Sequence, residues 1–67
     1  MKVKKLEKEV EVVEEILSVL YRLLALYRGI GDINQCKATR ADITLVEKEL
    51  RILIAEKDAE IVATREP

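Results

Sequence analysis

Apolar residues recur at alternating steps of three and four from near the start of the chain to residue 27: Val3, Leu6, Val10, Val13, Leu17, Leu20, Leu24 and Tyr27. An α-helix turns about every 3.6 residues, so this alternation keeps one seam on one side of a helix for almost four heptads. The pattern predicts helix 1 from about Val3 to Arg28, ended by Gly29 as a left-handed cap, with Gly31 allowing a sharp reversal. The stripe widens along this helix. Around Leu6, Val10 and Val13 it is one seam wide, flanked by Glu7, Glu11, Glu14 and Glu15. From Val12 onward Ile16, Val19, Leu23 and Leu26 join Leu17, Leu20 and Leu24, an arc broader than one partner helix would cover.

A second helix is predicted over about residues 33–63. Two starts carry capping chemistry, Asp32 with Gln35 and Thr39 with Asp42. Asp32 is preferred, because the connection at residues 29–32 then has the length of a common αα-hairpin loop. Its seam is Cys36, Ile43 and Leu50, seven residues apart, as are Val46 and Leu53. The seam then weakens, since Lys57 and Glu60 take its next two positions and only Ile54 and Ile61 continue the face. Ala38, Leu45, Ile52 and Ala59 form a secondary row across the helix.

Two such helices joined by a short turn pack as antiparallel neighbours. A lone hairpin leaves the arc of helix 1 wet, and pairing two hairpins with twofold symmetry covers it. The fold class read from the chain is therefore all-α: one domain over residues 1–67, an antiparallel two-helix hairpin that dimerises into a four-helix bundle. The bundle and dimer core is expected at Val13, Ile16, Leu17, Leu20, Leu23, Leu24, Ile43, Val46, Leu50 and Leu53.

Composition strengthens the case for a partner chain. With 67 residues, one cysteine and no histidine, the chain has no internal disulfide and lacks the commonest zinc ligand and neutral-pH base. Charged residues are 37% of the sequence and hydrophobic ones 49%, a mixture used by long helices with charged outer faces. Abundant Glu and Lys lean towards a thermophilic source. The net charge of −1 gives no global attraction to nucleic acid or membrane. Lys2, Lys4 and Lys5 run into Glu7, Lys8 and Glu9 and not into an apolar signal core. The stretch from Ile16 to Tyr27 falls short of the roughly 20 apolar residues a bilayer span needs. An intracellular, cytoplasmic protein is expected.

Candidate chemistry is sparse. Cys36 lies at seam spacing from Ile43 and reads as a small buried apolar residue, since a free thiol packs like a hydrophobe. Glu7, Glu11, Glu14 and Glu15 read as a solvated helix face that makes ordinary pairs with Lys4 and Lys8. Gly29-Ile30-Gly31 lacks the Lys-Ser/Thr of a phosphate loop and follows a helix, not a strand. No catalytic residue, cofactor, metal or small molecule is expected. One local excess stands out: Arg22, Arg28, Lys37 and Arg40 against Asp32 alone. These four are the candidate partner-binding residues. Cations at the end of a helix also answer its dipole. Phosphates are an alternative ligand for them, with Tyr21 or Tyr27 available to stack on a base.

Ile16-Leu17-Ser18-Val19-Leu20 in the first helix, the polar turn, and the run from Ile43 to Ile54 in the second resemble the small two-helix proteins of archaeal spindle-shaped viruses. That resemblance covers about two thirds of the chain. It implies a dimeric four-helix bundle acting as an adaptor between macromolecules in the host cytoplasm, with no catalytic residues. The hairpin architecture is also similar to that of Rop, the plasmid copy-number regulator that binds RNA, although the outer face here is rich in glutamate. The function expected is a non-enzymatic homodimeric adaptor binding a protein partner through exposed helix faces; the alternative is a Rop-like regulator touching nucleic acid through the basic turn.

Overall fold

The computed structural model describes residues 2–65; Met1, Glu66 and Pro67, which complete the 1–67 domain span, lie outside it. Helix α1 runs Lys2–Ile30 and helix α2 runs Ile33–Arg65. They pack against each other as an all-helical hairpin 56 Å long and only 15 by 11 Å across.

The turn is tighter than the predicted four-residue connection. Gly31, not Gly29, carries the left-handed backbone, at φ +74°, and α1 continues through Gly29 to Ile30. The reason lies in the hydrogen bonds. The Gly31 amide donates to the Arg28 carbonyl at 3.2 Å, and the Asp32 amide donates to the Tyr27 carbonyl at 3.0 Å. This is the Schellman pair, which satisfies two of the carbonyls orphaned at a helix end. Asp32 then caps α2: its Oδ1 accepts the Gln35 amide at 3.1 Å, and its carbonyl accepts the Cys36 amide at 3.0 Å. One residue thus closes α1 with its amide and opens α2 with its carboxylate. Because the Asp32 amide is already bound to Tyr27, no donor is left there for Gln35 to complete a reciprocal capping box.

Both seams meet along the hairpin, and burial is greatest in the half nearest the turn. Leu17, Leu24, Cys36 and Ile43 form the buried cluster, with Leu20, Tyr27, Val46 and Leu50 packed against it. Val10 is also buried. Val13 and Leu53 are half-buried. Beyond Ile43 nothing on α2 is buried, and the seam positions Lys57 and Glu60 are half-covered. There Lys2 Nζ stands 3.9 Å from Glu60 Oε1, a pair open to solvent on the lysine side, of the kind that contributes little.

Thr39, considered in the sequence only as a helix cap, lies within α2 on the seam, three residues after Cys36 and four before Ile43, and is just 5% exposed. Asp32 is the helix start. Among the described residues no side chain is covered to below 2% exposure. A single layer of contacts between two helices encloses nothing completely.

Candidate functional site

The two faces of the hairpin differ in chemistry. On one face α1 presents a second heptad row, spaced four and three like the seam: Val12, Ile16, Val19, Leu23, Leu26 and Ile30. At 100° per residue its centre lies about 110° around α1 from the seam. It therefore faces away from α2. Leu26 is 66% exposed and Ile30 75%, and Val12, Ile16 and Val19 are also open to solvent. Ile16 and Leu23, expected in the core formed by two hairpins, stand on this row; within the single hairpin Ile16 is exposed and Leu23 half-buried.

The row joins the open edge of the seam. One shallow concavity of about 280 Å³ is lined by Val12, Glu15, Ile16, Val19 and Leu20. A second, of about 430 Å³, shares Val12, adds Val13 and Leu53 across the helix interface, and is bordered by Lys5, Lys8 and Glu9. The half-buried seam residues Val13, Leu20 and Leu53 thus share one apolar surface with the outer row. On α2 the same face carries Asp42, Glu49 and Glu56, all exposed. The secondary row of α2 is also uncovered, with Leu45 at 64% exposure.

The basic residues gather on the other face, at the turn. Arg28 from the last turn of α1 and Lys37 and Arg40 from the first turns of α2 line one concavity of about 260 Å³, together with Gly31, Ile33 and Cys36. Antiparallel closure brings these three cations around one opening. Arg22 is not among the lining residues; six positions before Arg28, it is rotated well around α1. Cys36 is a free, buried thiol within the apolar cluster. Its burial matches the packing role read from its spacing.

Neither tyrosine stands free beside this cradle. Tyr27 packs against the core cluster. The Tyr21 hydroxyl donates to Glu47 Oε2 at 3.2 Å. That hydrogen bond, then desolvation, then the carboxylate charge raise the phenol above its usual value of 10.0, since each disfavours the phenolate. Glu7, Glu11, Glu14 and Glu15 are exposed along α1. Among the described residues no three His, Cys, Asp or Glu side chains are grouped as a metal would require, and no helix is long and apolar enough to cross a membrane. Comparison with protein families, with curated proteins and with solved structures finds no match to this chain.

Proposed function

We propose that this chain is a non-enzymatic homodimeric interaction module, two hairpins pairing into a four-helix bundle that binds another macromolecule, with protein the favoured class, through its exposed helix faces. The observation that carries this reading is the second apolar heptad row on α1, left in water by a hairpin too thin to cover any of the described side chains fully. Small domains with neither disulfide nor metal commonly draw stability from oligomerisation. The resemblance to the two-helix adaptor proteins of archaeal viruses points the same way.

If folding and dimerisation are coupled, mass action requires the thermal midpoint to rise with protein concentration. Sedimentation should give twice the mass of the chain wherever it is folded. A folded monomer that persists at micromolar concentration would overturn the proposal.

The gathering of Arg28, Lys37 and Arg40 around one concavity favours a second reading, a nucleic-acid regulator working through the turn. Phosphate contacts release counterions, so binding would weaken steeply as salt rises. A gel-shift titration across ionic strength separates the two readings. Salt-sensitive binding that is lost on reversing Arg28 and Arg40 supports the regulator, and no shift at low salt removes it.

A further inference from the structure

We infer that the occupant of the α1 row is α1 of a second copy of this chain, laid antiparallel about a twofold axis near residue 21. The inference rests on the dimeric reading above and adds its interface and direction. The row spans Val12 to Ile30. Reversal about its midpoint sets Val12 against Ile30 of the second copy, Ile16 against Leu26, and Val19 against Leu23. Each pair occurs twice, as a twofold interface demands. Every apolar residue of the row meets another in this register.

Charge decides the direction. Continued towards the amino end, the same row reads Glu9, Lys5 and Lys2. Parallel, in-register pairing would stack each of these on its own twin, and like charges in contact oppose association. Antiparallel pairing carries them past the partner's turn into water. The acidic row Asp42, Glu49 and Glu56 stands on the same face of α2. A charged row offers no apolar surface and is costly to bury, which leaves α1 as the contacting helix. Arg22 comes near the axis at the rim, where its long stem lets the guanidinium reach solvent.

Single-cysteine variants read the direction directly. In a Cys36→Ala background, Ile16→Cys and Leu26→Cys are made separately, each at an exposed site, and checked for helicity and mass. Unfolded together, refolded and oxidised, the two should give a mixed disulfide dimer, while Ile16→Cys alone stays uncrosslinked. A disulfide from Ile16→Cys alone would mean parallel helices and overturn the direction, with the dimer intact. A dimeric mass with no crosslink in either sample would overturn the α1 interface. A monomeric mass for the unmodified chain would overturn the dimeric reading itself.

Discussion

Two glycines separated by one residue should respond to the same substitution with opposite sign. Gly31 lies at φ +74°, and a Cβ added there would meet no atom within 4 Å. The cost of Gly31→Ala is therefore backbone strain alone, about 1–2 kcal/mol for an L-residue in the left-handed region. Gly29 is helical and its added Cβ also meets nothing. There alanine removes the entropic penalty of an interior helical glycine, a gain of about 0.8–1 kcal/mol. The two variants should then differ by about 2–3 kcal/mol per chain. In a domain of this size each kcal/mol moves the thermal midpoint by about 4–8 °C. Melts followed by circular dichroism at one fixed protein concentration measure the difference, since a dimer's midpoint depends on concentration. Gly31→Asn should recover part of the loss, because asparagine enters the left-handed region more readily than alanine. If Gly29→Ala proves the destabilising change and Gly31→Ala is neutral, the left-handed cap is at Gly29 and the Schellman geometry described above is wrong.

Leu24→Ala, in the buried cluster, should cost about 2–5 kcal/mol per side chain by urea denaturation, and Leu6→Ala, half-buried where the seam is narrow, clearly less; equal losses would refute the assignment of the core to the turn half. Tyr21 titrates above its unfolded value, so the stability its hydroxyl contributes is fully present below the unfolded pKa of about 10 and lost as pH rises through the folded one. The stability difference between the parent and Tyr21→Phe should thus vanish at high pH, and tyrosinate absorbance in a Tyr27→Phe background should report the raised midpoint. Reversing Arg28 and Arg40 to glutamate should change stability by within about 0.5 kcal/mol yet abolish capture of an acidic partner; pull-downs retaining the full partner set would exclude the turn as the binding surface.

Periodicity alone determined the two helices, their antiparallel pairing and the line along which they meet. An apolar residue every third and fourth position has one stable use in water. The same arithmetic put Cys36 on the seam and identified the excess apolar width of α1. It did not place Thr39, which reads as polar and cap-like in isolation but is carried to the seam because Asp32 starts α2. Nor did it choose between Gly29 and Gly31. That choice depends on which carbonyls the Gly31 and Asp32 amides reach when α2 folds back. Two outcomes belong to the tertiary structure alone. Arg28, Lys37 and Arg40 surround one opening only because the chain reverses at Gly31, while Arg22, as basic and as near in sequence, is rotated away. The outer row of α1 is an exposed surface only because α2 covers the seam and is too narrow to cover the rest.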